Sequence, residues 1–333
     1  MVESTVKRST SVCLSNGVNV SNRKTELYHQ PTIGLWLYQN SGGAEIQRQL
    51  VDQLLAKGVH TIPNLDLGHA TASNGEILCN GIIMENLDAF FSYNAGQQTP
   101  FQVYLYQSLS KSIPTINNFD AFFLSEDKFL TSHLLSQSGI RTAEYRLLNK
   151  DDIPQLKNTV REWQGHVVYK PTNGWGGNGI LKIEDERVLD VLIPFVNRTD
   201  MPHFYLERYI NYDKTDFRVD IVDGEYIGCY GRCAPADDWK TNITGGGTIM
   251  LRKPDDDLIE LAIKAAKVTG LEIAGVDLLY DLDAEEYVVL EVNGIPAFAT
   301  PEQEQFGLDF NQRKITKIAE LMARKVEEKI NAQ

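Results

Sequence analysis

The chain has 333 residues, with 45 acidic against 32 basic side chains and a formal charge of −13. At 42% hydrophobic and 23% charged it has the makeup of a globular protein with large cores. No apolar run approaches the roughly 20 residues that span a bilayer, and the acidic balance argues against a nucleic-acid face.

Four cysteines in so long a chain do not make a disulfide framework and point to a reducing, cytoplasmic compartment. Met1–Gln30 is rich in Ser, Thr, Asn and Val, with Lys7, Arg8, Arg23 and Lys24. It lacks the apolar stretch of about 7–15 residues that a secretory signal carries, and reads as a flexible tail. From Thr32 the pattern turns regular. Ile33, Leu35 and Leu37 alternate as in a strand, and Ile46, Leu50 and Leu54 recur at helical spacing up to a closing Gly58. A short strand follows at residues 59–63, then a small hairpin marked by Asn74-Gly75 and Asn80-Gly81. A strand at 87–93, a helix at 101–109 and a strand at 113–116 complete an open parallel sheet over residues 31–117. Next, Ser125 reads as the N-cap of a helix carrying Phe129, Leu130, Leu134 and Leu135 and closed by Gly139. Residues 118–205 and 206–333 then mix strands and helices, with Asp223-Gly224 turning a hairpin. A final helix carries Ile315, Ile318, Met322, Val326 and Ile330.

Three groups of residues carry chemistry. Lys170-Pro171 leads into a loop with Gly174, Gly176, Gly177 and Gly179 and Trp175 at its tip. A dinucleotide site needs a helix after such glycines; here Ile180-Leu181-Lys182-Ile183 continues as a strand, so the loop tips a hairpin whose backbone N–H groups can cover an anion. Second, Glu291 and Asn293 are two apart on a strand and share a face, and Asp277 opposes them if the strands pair. That oxygen-only set suits Mg²⁺ rather than zinc. Third, Lys128, Lys170, Arg218, Arg232 and Lys240 recur near glycine loops and form a candidate polyanion pocket in an acidic chain. Cys229 and Cys233 have no second pair or histidine cluster to complete a metal site and read as buried small hydrophobes. Phe91, Tyr93 and Tyr104–Tyr106 read as core, and His69 and His133 as structural.

In order along the chain, these pieces resemble the ATP-grasp ligases, in particular RimK-like carboxylate–amine ligases that include α-L-glutamate ligases. The resemblance covers residues 122–331. It rests on Glu126-Asp127-Lys128-Phe129, Val168-Tyr169-Lys170-Pro171 with its glycine loop, and Leu206-Glu207-Arg208-Tyr209-Ile210. It continues through Asp216-Phe217-Arg218, Arg232, Lys240-Thr241-Asn242, Ala274-Gly275-Val276-Asp277 and Glu291-Val292-Asn293-Gly294-Ile295-Pro296. The fold implied is α/β, an ATP-grasp fold behind an N-terminal open parallel-sheet domain. Residues 118–205 would be the small subdomain with the glycine loop, and 206–333 the subdomain with the metal site.

The resemblance implies that Lys128, Lys170, Gly176 and Gly177 meet ATP phosphates, that Glu207, Arg208, Tyr209 and Ile210 face adenine, and that Asp216 lies near the ribose. Arg208 stands where relatives usually carry a second acid. Asp277, Glu291 and Asn293 would hold two Mg²⁺, with Mn²⁺ as a substitute, and Arg218, Arg232, Lys240 and Asn242 would serve the transferred phosphate and acyl group. The activity implied is ATP-dependent conversion of a carboxylate to an acyl phosphate and its capture by an amine, such as an amino acid like glutamate. The substrates implied are small molecules or a peptide or protein terminus, without nucleic acid or membrane, and a homo-oligomer is compatible with it. An ATP-grasp protein without turnover and a phosphotransferase are the rival readings.

Overall fold

The computed structural model describes residues 29–94, 99–174, 176–198 and 203–332, so residues 1–28 of the expected tail and Trp175 lie outside the described residues. Contacts divide the chain into Met1–Gln30 and Pro31–Gln333, and every element named here belongs to the second unit. Strand β1 (Thr32–Leu37) leads through helix α1 (Gly43–Ala56) to β2 (His60–Ile62). A meander of β3 (Thr71–Ser73), β4 (Glu76–Cys79) and β5 (Ile82–Ile83) comes next, then β6 (Ala89–Tyr93), α2 (Pro100–Leu109) and β7 (Thr115–Ile116). The order β2-β1-β6-β7 is parallel throughout. Ile33, Leu35, Leu37, Phe91 and Tyr93 pack on one side with Ile46, Leu50 and Leu54 of α1, and Trp36 and Phe90 on the other with Leu105 and Leu109 of α2. A strand buried on both faces needs apolar residues at consecutive positions, hence the unbroken runs of β1 and β6. The expected small hairpin is a three-stranded meander. Asn74 and Asn80 have φ of 53° and 50°, and Gly75 and Gly81 follow at 87° and 80°, the double left-handed geometry of a type I′ turn.

The helix expected from Ser125 starts later. Helix α3 (Phe119–Ser125) is capped by Asn118 and ends at Ser125, whose hydroxyl donates to Phe122 O at 2.7 Å. Asp127 then accepts from Leu130 N at 2.9 Å and opens α4 (Lys128–Gln137). Two hydrogen-bond acceptors so close in sequence leave room for two short helices, and the buried Phe119 and Phe122 fix the first.

The next elements are β8 (Tyr145–Asn149), α5 (Ile153–Glu162), β9 (Val167–Lys170), β10 (Leu181–Ile183), α6 (Glu186–Val196) and β11 (His203–Arg208). Their strands form an antiparallel sheet in the order β10-β9-β11-β8, covered by Leu156 and Val160 of α5 and Leu189 and Leu192 of α6. Strands β12 (Thr215–Val222), β13 (Glu225–Cys233) and β14 (Thr248–Met250), helix α7 (Asp256–Thr269), and strands β15 (Ile273–Asp281) and β16 (Glu286–Asn293) follow. They form a second antiparallel sheet, β14-β13-β12-β15-β16. Alternation along β12 assigns its faces. Phe217, Val219 and Ile221 enter the core with Leu258, Ala262 and Ala266 of α7, so Asp216, Arg218 and Asp220 must point away from it.

After α8 (Pro301–Phe306), helix α9 (Asn311–Asn331) lays Ile315, Ile318, Met322 and Val326 against the core shared with β1 and β6. It also carries Lys314, fully buried at 0% exposure. The Lys314 ammonium lies 2.8 Å from Asp220 Oδ2, donates to Pro296 O at 2.8 Å and Ala297 O at 3.1 Å, and sits 4.6 Å from the Phe298 ring centre. Burial lowers its pKa, and the Asp220 charge works against that. A buried charge left without its partner costs far more than the pair itself contributes. Lys314→Met should therefore destabilise the fold by about 3–5 kcal/mol. Lys314→Met with Asp220→Leu should regain most of that, as read from urea denaturation midpoints.

Candidate active site

A cleft of about 760 Å³, counted out to its open mouth, takes walls from both antiparallel sheets. One wall holds Val168 and Lys170 of β9 and Glu207 and Arg208 of β11, continuing into Tyr209 and Ile210. The other holds Asp216, Arg232, Asp277, Leu279, Leu290 and Glu291, and the segment Trp239-Lys240-Thr241-Asn242 and Lys128 at the start of α4 complete it.

Strand register explains the second wall. Tyr230, Arg218, Asp277 and Glu291 are successive partners across β13, β12, β15 and β16, and Asp216 faces Arg232 one step along the same face. Asp277 does therefore oppose Glu291, and Gly275 opposes Asn293. Between Asp277 and Leu278 the register shifts, so Leu290 is an extra residue on β16. A bulge of this kind re-aims side chains, and it accounts for two consecutive residues, Leu290 and Glu291, lining one cleft.

Ion pairs fill this surface. Arg232 donates to both Asp216 oxygens at 2.8 and 2.7 Å and lies 3.1 Å from Asp277. Arg218 grips Asp277 from the other side, with Nη2 at 2.9 Å. Burial would raise the Asp277 carboxyl, but Arg218 and then Arg232 overcome it and hold it below its ordinary pKa. Asp216 is displaced upward, because burial outweighs the single arginine beside it. Thr241 Oγ1 donates to Asp216 at 2.5 Å. Lys170 meets Glu207 at 2.5 Å and Lys128 meets Glu291 at 3.0 Å. Tyr205 stands opposite Lys170 in the sheet and donates to Glu207 at 2.9 Å, which fixes that carboxylate. Lys240 makes no ion pair among the described residues. Five cations and four carboxylates line the cleft, a net +1 in a chain of −13.

The glycine loop closes the cleft at one side. Lys128 Nζ donates to Gly174 O at 2.6 Å, and Thr244 Oγ1 to Gly176 O at 2.9 Å. Gly176 and Gly177 have φ of 72° and 74°, and a Cβ on Gly177 would stand 2.6 Å from Asn242 Oδ1. Glycine is thus required for both conformation and proximity. These two glycines line a smaller recess with Lys128, Asn242 and Glu291.

Not every expected residue faces the space. Arg218 lines neither cavity and acts through Asp277. Asn293 also lines neither, its amide donating to Gly275 O at 3.4 Å. Arg208 does line the cleft, at an exposed edge where it pairs with Glu144 at 3.3 Å. The sequence reading missed an aromatic corner. Tyr209 lies 6.1 Å from Tyr212 and 5.8 Å from Trp239, with Lys182 Nζ 3.6 Å from the Tyr209 ring centre. It also missed the apolar Leu279 and Leu290, which a two-residue periodicity places without saying that they flank a cleft.

Outside the cleft, Cys229 and Cys233 are half-buried rather than buried, and burial pushes the Cys229 thiol up to about 12. Among the described residues no group of three His, Cys, Asp or Glu could hold a metal ion. Tyr104 is 72% exposed, so it is not core, whereas Phe91, Tyr93 and Tyr106 are buried. His133 bonds Tyr145 at 2.8 Å and His69 lies 3.3 Å from Asp66. Among the described residues no helix is long and apolar enough to cross a membrane.

Solved structures share this fold. The RimK domain ATP-grasp protein of Sphaerobacter thermophilus superposes with a TM-score of 0.63 at 16% identity, over 87% of this chain and 98% of its own. The ATP-grasp ligase PsnB with minimal precursor, Mg and ADP gives 0.62 at 16%, over 90% and 98%. The fold is therefore that of ATP-grasp proteins. The RimK-like ATP-grasp domain model matches residues 125–318. The tetrahydromethanopterin:α-L-glutamate ligase of Methanocaldococcus jannaschii is 30% identical over 220 residues, 65% of this chain and 74% of the relative. The glutamate–LysW ligase ArgX of Sulfolobus acidocaldarius is 27% identical over 191 residues, 57% and 67%. The chain belongs to the RimK-like ATP-grasp family, and its reaction is the ATP-dependent joining of a carboxylate to an amine.

The arginine at the centre of the site can be tested without substrate. Arg232→Gln removes a partner from both Asp216 and Asp277, so both carboxyls rise in the folded state. A folded-state pKa above the unfolded value loses stability as pH rises through that interval. The variant should therefore lack about 3–5 kcal/mol at pH 7, and the deficit should shrink towards about pH 4, near the ordinary carboxylate pKa. Urea denaturation at the two pH values measures both.

Proposed function

We propose that the cleft binds ATP with divalent metal and that the residues around it divide the reaction between them. The observation that carries this reading is the net-positive wall under a glycine loop in a strongly acidic chain. Lys128 and Lys170 would meet phosphate oxygens, exchanging Glu291 and Glu207 for a stronger anion. Glu207, Arg208, Tyr209 and Ile210, with Leu279 and Leu290, offer a mixed polar and apolar slot for a purine, and Asp216 would lie towards the ribose. In this division residues 31–117, 118–205 and 206–333 act as N-terminal, loop-bearing and metal-bearing parts.

Asp277 and Glu291 are facing oxygen donors that line the cleft, and an oxygen-only pair suits Mg²⁺; Asn293, two residues past Glu291 but outside both cavities, would have to turn to join them. They would hold the metal, as two Mg²⁺ or with Mn²⁺ in their place. Bound there, magnesium supplies charge neutralisation for phosphoryl transfer. Arg218 braces Asp277 and serves as a positioning residue rather than a catalytic one.

The acid's carboxylate oxygen attacks the γ-phosphorus, ADP departs, and an acyl phosphate forms. Arg232 and Lys240, both lining the cleft, would face the region where negative charge gathers. An amine then attacks the acyl carbon, loses a proton and expels phosphate. Asn242, against Gly177, holds the loop over the cleft and excludes water that would hydrolyse the acyl phosphate. An amino acid is the amine, with glutamate the first candidate because the two relatives above are glutamate ligases by name. A small acid and a peptide or protein terminus both remain compatible as the acyl partner.

The test is release of ADP and phosphate with panels of acids and amino acids. Dependence on both substrates is expected. A stable phosphorylated product formed without amine would mean a phosphotransferase, and ATP binding without turnover would mean a binding protein. Glu291→Ala should reduce turnover at least about 100-fold with little change in melting temperature. Gly177→Ala, forced into left-handed backbone against Asn242, should weaken ATP binding about tenfold in a calorimetric titration.

A further inference from the structure

A second cavity, about 1120 Å³ out to its mouth, lies beside the first. The residues Tyr38, Asn40 and Ser41 that follow β1, and Asn94 that follows β6, form one side. In the order β2-β1-β6-β7, β1 and β6 are the pair from which the chain departs in opposite directions. A crevice at the carboxyl ends of two such strands is where open parallel sheets bind ligands. The opposite side neighbours the active site along the chain. Tyr230 lines this cavity and Arg232 the cleft, two residues apart on one face of β13, and Ile243 here follows Asn242 there. Two strand residues span about 7 Å, the length of a small organic acid.

The chemistry of the lining is uniform. Tyr38, Tyr230, Phe298 and Phe310 supply rings, with Tyr230 and Phe310 stacked at 6.4 Å and 8°. Isoleucines and a leucine fill between them, and amides and hydroxyls form the rim. Among the described lining residues there is no Lys, Arg, His, Asp or Glu. The Lys314 ammonium near Phe298 is already consumed by Asp220 and two carbonyls. A second carboxylate or an ammonium in this space would lose hydration and meet no opposite charge among the described lining residues.

We propose that this cavity seats the body of the acid substrate, and that this body is uncharged and ring-bearing, with one carboxylate directed along β13 to Arg232 and Lys240. The reacting group rests on the ligase reading; the cavity's preference does not. Discrimination of this kind arises as much from what the site refuses as from what it holds.

The experiment compares 3-phenylpropanoate with glutarate on the full chain. Binding is measured by calorimetry with a non-hydrolysable ATP analogue and Mg²⁺, and turnover as hydroxamate formed from ATP, acid and hydroxylamine. In that assay the carboxylate takes the γ-phosphoryl group and releases ADP. The hydroxylamine nitrogen then attacks the acyl carbon, gives up a proton and expels phosphate. Preference for 3-phenylpropanoate by at least about tenfold in both readouts is expected. Asn40→Arg, an exposed rim position, should move the ratio about tenfold towards glutarate. Equal or better use of glutarate by the unaltered chain, or a ratio unmoved by Asn40→Arg, overturns the inference. Tighter binding of 3-phenylpropanoate with no hydroxamate from either acid upholds the cavity's preference and overturns the ligase reading. Binding of neither acid overturns the inference.

Discussion

Arg232, held between Asp216 and Asp277, is the interaction on which the site depends. All three side chains are buried, and isolated ions there would be prohibitively desolvated. Their pairing fixes three rotamers at once and sets Asp277 opposite Glu291, while Arg218 closes the group from the far side. The opposite face of the same sheet is committed to the apolar core under α7, so the charged row has nowhere else to turn. The polar groups are consequently held in place by the fold, which is the condition for electrostatic stabilisation without reorganisation.

The balance of charge follows from that arrangement. Lys170 and Lys128 each have a carboxylate partner, so the cleft keeps its shape without an excess of unpaired cations. A polyanion entering it competes with Glu207 and Glu291 for the lysines. Glu291, freed from Lys128, would then be open to a divalent ion. The same residues can thus be structural ion pairs and ligands, because a carboxylate and a phosphate make similar charge-assisted hydrogen bonds.

Much of this was legible in the sequence. The apolar runs of β1 and β6, the alternation of Phe217, Val219 and Ile221, and the Asn-Gly and Asp-Gly turns each follow from local stereochemistry. The opposition of Asp277 to Glu291 followed from two strand-like segments and an assumption of pairing. Other features depend on tertiary relations that no short window contains. The start of α4 was misplaced because Asn118 and Asp127 each cap a helix, and burial of Phe119 and Phe122 decides that both form. Leu290 joins Glu291 in the cleft through a bulge that only the register reveals. Arg218 and Arg232 looked equivalent on the arms of one hairpin, yet one lines the cleft and the other braces a carboxylate from behind. Tyr209, Tyr212 and Trp239 assemble a corner from separated loops.

Strand β13 connects the two recognition problems that a ligase must solve. Arg232 presents charge to one space and Tyr230 presents a ring to the next, with alternate residues of a strand sharing a face. A site can therefore keep the phosphate-handling residues common to its family while changing the neighbouring cavity without disturbing them. Two relatives at 27–30% identity carry glutamate in their names. Those names do not specify the acid, because the residues beside β1, β6 and α8 that line the second cavity lie largely outside the charged row. The uncharged lining there is a property of this chain's own residues.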